Sequence, residues 1–316
     1  MKTIMVTGAH GFIGSNLAQN LILQEPTAKY VFVDSLTYAA RPEYLRNFLN
    51  PKLFHNTVEE IVDITDHLAV ARVMSKHKPD IVYHLAAESH VCRSIAGPKA
   101  FVQTNVLGTF HLLEEFRQYC TKDMRFIHVS TDEIFGEIAD GAFNEHCEIK
   151  PRSPYAASKA ASDLIALSYY HTYNVPVIVT NCSNNFGPNQ HEEKLVAATI
   201  TSCLRGDPVK VFGDGKQVRD WLFVRDHCDA LGELARYGRV GERYCIGGNN
   251  ELTNLEMIEQ IVNAVQDHTG GVVDLELQFT DDRPTDDRRY AIDTTKIVSE
   301  NIWRPVGKQH FKKCLT

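Results

Sequence analysis

The sequence predicts an α/β fold: a doubly wound, mostly parallel sheet with helices on both faces, plus a smaller α/β region toward the C-terminus. Three observations point to it. Short β-branched runs alternate with amphipathic stretches as far as residue 182, the rhythm of repeated β-α-β units. A turn with regularly spaced glycines joins the first run to the first amphipathic stretch. Beyond residue 183 the rhythm loosens into Asn-, Gly- and Pro-containing loops with no low-complexity linker, so the second region should share a broad interface with the first.

Taken in order, Thr3–Thr7 reads as a buried strand and Ile13–Leu23 as the helix that follows the glycine turn. Lys29–Asp34 is a second strand ending in an acid. Ile81–Ala86, Phe126–Ser130 and Val175–Cys182 read as further strands, with Phe101–Tyr119 and Tyr155–Tyr173 as helices. Right-handed crossovers between parallel strands place their C-terminal ends along one edge, where ligands bind in such sheets. Later come the loop Asn184–Asn189, the turn Gly213-Asp214-Gly215 and the polar stretch Thr280–Arg289.

Composition narrows the function. The 316 residues are 43% hydrophobic and 23% charged, with a net charge of −7, which argues against nucleic-acid binding. No run reaches the roughly 18 apolar residues of a membrane span, and Met1–Val6 lacks the apolar core of a signal peptide. The eight cysteines are scattered with no Cys-x-x-Cys pair, so no metal site is expected and the thiols fit a cytoplasmic protein.

Gly8, Gly11 and Gly14 are spaced Gly-x-x-Gly-x-x-Gly between the first strand and the first helix. Glycines there permit a tight turn and close approach of a pyrophosphate to the helix N-terminus, the signature of a Rossmann-like dinucleotide site. Asp34 follows about 20 residues later, where a carboxylate binds an adenosine ribose; an acid there selects NAD over NADP. Asp63 ends another apolar stretch and reads either as an adenine contact or as a solvated loop acid.

Tyr155 and Lys159 lie four apart and so share one face of a helix. A phenol with a pKa of about 10 is a poor base at neutral pH; a nearby ammonium and a nicotinamide cation should lower it. Upstream, Ser130-Thr131-Asp132-Glu133 sits at the C-terminal end of a strand, the edge at which active-site groups are expected.

Together these motifs resemble the extended short-chain dehydrogenase/reductases, and the run Ser130–Gly136 is similar to their nucleotide-sugar 4,6-dehydratase branch, dTDP-glucose dehydratases especially. Further landmarks occur in the same order along nearly the whole chain: Leu85–Val91, Thr180–Asn185, Glu193-Lys194-Leu195, Arg219-Asp220-Trp221 and Asp287–Asp293.

The resemblance implies a bound NAD held by residues 1–182, completed by part of 213–240, and a nucleotide-sugar region made mainly of 183–316. Around NAD it places Gly8, Gly11, Phe12, Ile13 and Gly14, then Asp34, Ser35, Thr37, Asp63 and Ile64, then Leu85, Ala86, Ala87 and Thr104, with Tyr155 and Lys159. Tyr155 would take the C4 hydroxyl proton, Glu133 the C5 proton, and Asp132, kept protonated, would expel the C6 hydroxyl as water. Thr131 would bond near O4 and Lys159 would hold the ribose. A dTDP- or UDP-hexose would meet Ser89, Asn184, Asn185, Lys194 and Leu195, with Phe212 at the base and Arg219, Asn254 and Arg283 toward the diphosphate. A homodimer is implied, through a four-helix bundle of Asn105–Tyr119 and the Tyr155 helix; Leu164, Ile165, Leu167 and Ser168, with Val106, Phe110, Leu112 and Leu113, offer a compatible surface.

Two residues depart from the family pattern: Cys92 stands where Asp is usual, and Asp286 where His is usual, an acid that disfavours a nearby phosphate. The rivals are sibling UDP-hexose epimerases and decarboxylases, a UDP-glucose 4,6-dehydratase, GDP-mannose dehydratases, and a non-catalytic NAD-binding scaffold. Asp132 beside Glu133 separates a dTDP-type dehydratase from the epimerases, the decarboxylases and the GDP-mannose enzymes; an intact triad argues against the scaffold.

Overall fold

The computed structural model describes residues 1–49, 56–282, 284 and 286–306. Its strands are β1 (Thr3–Thr7), β2 (Lys29–Asp34), β3 (Thr57–Ile61), β4 (Ile81–His84), β5 (Arg125–Thr131) and β6 (Val177–Cys182), then β7 (Asn184–Phe186), β8 (Val209–Phe212), β9 (Val218–Phe223), β10 (Arg243–Ile246), β11 (Glu251–Thr253) and β12 (Leu277–Thr280). The helices are α1 (Phe12–Gln24), α2 (Pro42–Phe48), α3 (His67–His77), α4 (Val91–Ala96), α5 (Pro98–Phe101), α6 (Thr109–Arg117), α7 (Pro154–Tyr173), α8 (Leu195–Arg205), α9 (Val224–Tyr237), α10 (Asn254–Thr269) and α11 (Thr295–Ser299).

Seven strands form one parallel sheet in the order β10-β6-β5-β4-β1-β2-β3. Strands covered on both faces read as continuous apolar runs, and β4 and β6 are buried from end to end. Within β1 the side chains still alternate. Ile4 and Val6 join Leu17, Leu21, Cys228 and Leu231 from α1 and α9 on one face, while Met5 joins Val70, Val73, Leu112 and Phe116 from α3 and α6 on the other. Phe116 is fully buried there, so its replacement by Ala should cost about 3–5 kcal/mol.

The sheet draws on the chain beyond residue 182. Its edge strand β10 comes after α9, whose Cys228, Leu231 and Leu234 pack in the same core as β1 and β2. The remaining strands make two small sheets, β11-β9-β7 and β12-β8. Because a single residue, Ser183, separates β6 from β7, the chain leaves the C-terminal edge of the large sheet straight into the second region. The cleft lies at that step.

The expected helix Phe101–Tyr119 is interrupted: α5 runs into a π-helical stretch, Val102–Gly108, before α6 resumes. Asn105 explains the widening. Its Oδ1 accepts from the Glu88 N–H (2.8 Å), and its Nδ2 donates to the Glu88 carbonyl (2.9 Å) and the Ser158 hydroxyl (2.8 Å). Such π-bulges are commonly found at functional sites. Leu112 and Leu113, expected on the free face of this helix, are buried against the sheet instead; Val102, Leu107 and Phe110 are the exposed ones. Asn105 bonded to Glu88 and Ser158 sets which way each turn faces.

Candidate active site

The C-terminal ends of β1, β2, β4, β5 and β6 open onto a cleft of about 760 Å³. Every residue expected to bind cofactor or substrate, or to act in catalysis, lines it, except Arg283, which lies outside the described residues. Also on its walls are residues that lay within the quoted motifs but were given no role, among them Ser130, Cys182, Ser183, Trp221, Asp287 and Tyr290.

At one end sits the glycine turn. Gly8 has φ +68°, and a Cβ there would lie 2.8 Å from the Ala86 nitrogen; a Cβ on Gly14 would lie 2.0 Å from the Gly8 carbonyl oxygen. Larger residues cannot occupy this cradle. Helix α1 begins at Phe12, and its N-cap Gly11 offers no side-chain cap, so its first N–H groups remain available to an anion. Asp34 ends β2 beside the turn, where its Oδ2 accepts from the His10 N–H (2.9 Å) and its Oδ1 from the Leu36 N–H (2.8 Å). Each oxygen keeps a second lone pair for a ribose hydroxyl. Asp63 also lines the cleft, its Oδ1 accepting from the Thr65 N–H at 2.9 Å. This donor set fits a dinucleotide with unmodified adenosine ribose.

In the middle lies the acid–base cluster. Strand β5 ends at Thr131, and Asp132–Phe135 continue as a 3₁₀ turn that points both carboxyl groups into the cleft. The Thr131 hydroxyl accepts from the Glu133 N–H (3.3 Å), donates to Asp132 Oδ1 (3.3 Å), and hydrogen-bonds the Tyr155 phenol. Asp132 is 1% exposed, and its Oδ2 has no hydrogen-bond partner among the described residues. Burial, then the nearby Glu133 and Asp220 charges, pushes its carboxyl well above the usual range and favours its protonated form. Glu133 is only partly buried. Two adjacent carboxyls thus have unlike environments.

Tyr155 stands one residue into α7, whose N-cap Ser153 accepts from the Ala156 N–H. The expected lowering of its phenol is reversed in the protein itself: burial, followed by Glu133 and Cys182, raises it well above 10, with only the Thr131 hydrogen bond opposing. Lys159 is turned away, its ammonium donating to the Val129 carbonyl at 2.8 Å.

At the far end, Lys194 and Leu195 begin α8, Phe212 ends β8, Asn254 begins α10, and Arg219 lies on β9. Arg219 is 6% exposed, lies 4.4 Å over the Tyr290 ring, and pairs with Asp286 at 3.3 Å. The unexpected acid is therefore the partner of the expected phosphate ligand. Asn185 is engaged as well: its Nδ2 donates to the Ser183 carbonyl (2.9 Å), and its Oδ1 lies 3.0 Å from His227 Nδ1. Among the described residues no group of His, Cys, Asp or Glu is arranged to hold a metal, and no helix is long and apolar enough to cross a membrane.

The family model for GDP-mannose 4,6 dehydratase matches residues 5–314. The chain is a nucleotide-sugar dehydratase of the extended short-chain dehydrogenase/reductase family. It is 45% identical over 317 residues to the dTDP-glucose 4,6-dehydratase of Xanthomonas campestris, covering 96% of this chain and 89% of that one. It is 44% identical to the Haemophilus influenzae dTDP-glucose 4,6-dehydratase, covering 96% and 94%. Among solved structures, the Streptomyces venezuelae dTDP-glucose 4,6-dehydratase with NAD and TYD bound superposes with a TM-score of 0.89 at 38% identity, covering 99% of this chain and 95% of that one. The Thermus thermophilus UDP-glucose 4-epimerase, in complex with NAD, reaches 0.86 at 28% identity, covering 99% and 97%. The fold is thus shared by dehydratases and epimerases, and the site has to separate them.

Proposed function

We propose that the protein is an NAD-dependent dTDP-glucose 4,6-dehydratase, converting dTDP-glucose to its 4-keto-6-deoxy sugar. The observation that carries this is the buried Asp132, its carboxyl pushed upward by burial, beside the more accessible Glu133 and next to Tyr155 in one cleft. Oxidation at C4 needs only a base for the hydroxyl proton. Eliminating water across C5 and C6 needs in addition a base for one proton and an acid for the leaving oxygen, and paired carboxyls with separated pKa values supply both.

NAD would rest on the Gly8–Gly14 cradle and Asp34, supplying hydride uptake at C4 and hydride return at C6, and bringing a cationic ring beside Tyr155. Tyr155, held by Thr131 and lowered from its raised value by that ring's charge, would take the O4 proton. The resulting 4-ketone acidifies the C5 proton, which Glu133 removes. Asp132 passes its proton to the C6 oxygen, which leaves as water, and Glu133 returns its proton to C5 as the C5–C6 double bond is reduced. Thr131 keeps the phenol and Asp132 in register, and burial of Asp132 keeps bulk water from taking its proton.

The diphosphate falls to Lys194, Arg219 and Asn254, with Arg283 added by the family resemblance and Phe212 at the base. A UDP-hexose is the second reading, because Asp286, paired with Arg219, stands where the family usually has a base- or ribose-contacting His. Incubation with dTDP-, UDP- and GDP-glucose, followed by mass spectrometry, decides both: loss of one water from dTDP-glucose is expected. No loss of water from any of the three nucleotide sugars would refute the dehydratase reading.

The same reading makes the enzyme a cytoplasmic homodimer. Support for the dimer is the apolar face shared by the helical stretch 102–110 and α7, on which Val102, Leu107, Phe110 and Leu164 are all at least 40% exposed. The cytoplasmic placement rests on its seven described cysteines, all free.

A further inference from the structure

Helix α7 carries a third polar residue on the face of Tyr155 and Lys159. Asp163 lies one further turn along and is completely buried. Its Oδ2 accepts from Arg243 Nη1 (2.8 Å) and Asn181 Nδ2 (3.0 Å), and its Oδ1 lies 3.2 Å from His128 Nε2. Arg243 Nη1 also donates to Asn181 Oδ1 at 2.6 Å, and Asn181 Nδ2 to the Thr131 carbonyl at 3.0 Å. His128 Nε2 lies 3.0 Å from the Ser162 hydroxyl, which donates to the Lys159 carbonyl at 2.8 Å. The network therefore touches both catalytic elements from behind, the strand end at Thr131 and the helix turn at Lys159. It is anchored by the edge strand β10.

We propose that Asp163 is a positioning residue: it supplies the buried counter-charge that keeps Lys159 protonated and, through Asn181, fixes the strand end that presents Thr131, Asp132 and Glu133. The charges require such a group. Arg243 is a permanent cation and Lys159 a second one, both at most 8% exposed, and two buried cations with no carboxylate would drive the amine to lose its proton. Around Lys159, burial keeps His128 on β5 and His84 on β4 neutral, with the Lys159 charge adding to the effect, and burial pushes the Cys182 thiol on β6 up to about 12. Tyr155 and Asp132 are pushed toward their protonated forms as described, and Glu133 sits beyond them at the 3₁₀ turn. Burial pushes the Lys159 amine down to about 8, and Asp163 leads the groups that oppose it. Asp163 itself, despite burial, is held down to about 2 by His128, Arg243 and Lys159, so it is ionised.

This rests on the role given to Lys159 above, so one arm of the test needs no turnover. The amine pKa is read from the pH dependence of Lys159 acylation, followed by mass spectrometry on the intact protein. Asp163→Asn should lower that pKa by about one to three units and move the alkaline limb of the kcat profile down with it, whereas Asp163→Glu should restore much of both. The double variant D163N/R243Q, which leaves no uncompensated guanidinium, should give a smaller downward shift and serves if D163N does not fold. An acylation pKa unchanged in either variant, or a wild-type amine already deprotonated at neutral pH, overturns the proposal. A shift in acylation without dehydratase activity in the wild type would leave the Asp163 assignment standing and remove only the reaction.

Discussion

Asp132 shows how one side chain can serve catalysis at a cost to folding. Its Oδ2 is buried and unbonded among the described residues, an arrangement that suits an acid waiting for a leaving oxygen and destabilises the ionised form. Replacing Asp132 with Asn removes the proton that the C6 hydroxyl needs. Elimination should slow by about 10²–10⁴-fold while C4 oxidation is largely kept; rapid-quench analysis should then show the 4-keto hexose accumulating, and elimination at the wild-type rate would exclude the acid role. The same substitution should stabilise the fold. An acid whose folded pKa lies above its unfolded value binds its proton more tightly when folded, so its burden is absent below about 4 and grows as pH rises toward the folded pKa. Asp132→Asn should therefore melt with the wild type near pH 4 and be more stable by about 1 kcal/mol or more near pH 8. Thermal denaturation at the two pH values measures it, and equal stability at both would mean that Asp132 ionises normally.

Among the elements, the π stretch Val102–Gly108 holds the back of the cleft in place. Asn105 ties it to the Glu88 backbone after β4 and to Ser158 on α7, and Ser158 in turn donates to the Tyr155 carbonyl at 2.7 Å. One amide side chain thus links three segments that line the cleft around Tyr155. Asn105→Ala would leave buried donors and acceptors unpaired, a loss of about 1–3 kcal/mol, read as a lower urea midpoint. The turnover number should also fall, because the Tyr155 turn loses its support. If the midpoint is unchanged, water replaces the amide and the link is dispensable. The expected uninterrupted helix missed this stretch because helical periodicity does not register one extra residue in a turn; the cause, Glu88, lies 17 positions away.

For the whole molecule, the apolar face of residues 102–110 and Leu164 is the surface to which the proposed dimer assigns its interface. Phe110 is 40% and Leu164 54% exposed, so replacing both with Asp should leave the fold intact while placing two charges in any interface built there. The double variant is expected to sediment as a monomer with an unchanged circular dichroism spectrum; a variant that remains dimeric would move the interface elsewhere. The cleft is likewise a property of the whole chain, since Tyr155 and Asp132 come from the large sheet and its helices, whereas Arg219 and Asp286 come from β9 and the polar stretch after β12.

Much of this was legible in residue order because it is local chemistry. The glycine spacing, Asp34 at a strand end, Tyr155 and Lys159 one turn apart and the run Thr131-Asp132-Glu133 each occupy one short segment, so backbone geometry places them without reference to the rest of the chain. The parallel sheet followed from the alternation of buried runs and amphipathic helices. Less legible were β3, where Glu59 and Glu60 pair with Arg46, Lys76 and His77 along a polar edge, and β10, a four-residue strand with an arginine in it. What makes that arginine tolerable is Asp163, 80 residues earlier. Tertiary structure alone decided the causes and pairings: that burial is what raises Asp132, already expected to be the acid, that Tyr155 is raised by the protein, and that Arg219 meets Asp286. Those depend on desolvation and on charges brought close by the fold, and neither is a property of neighbours in sequence.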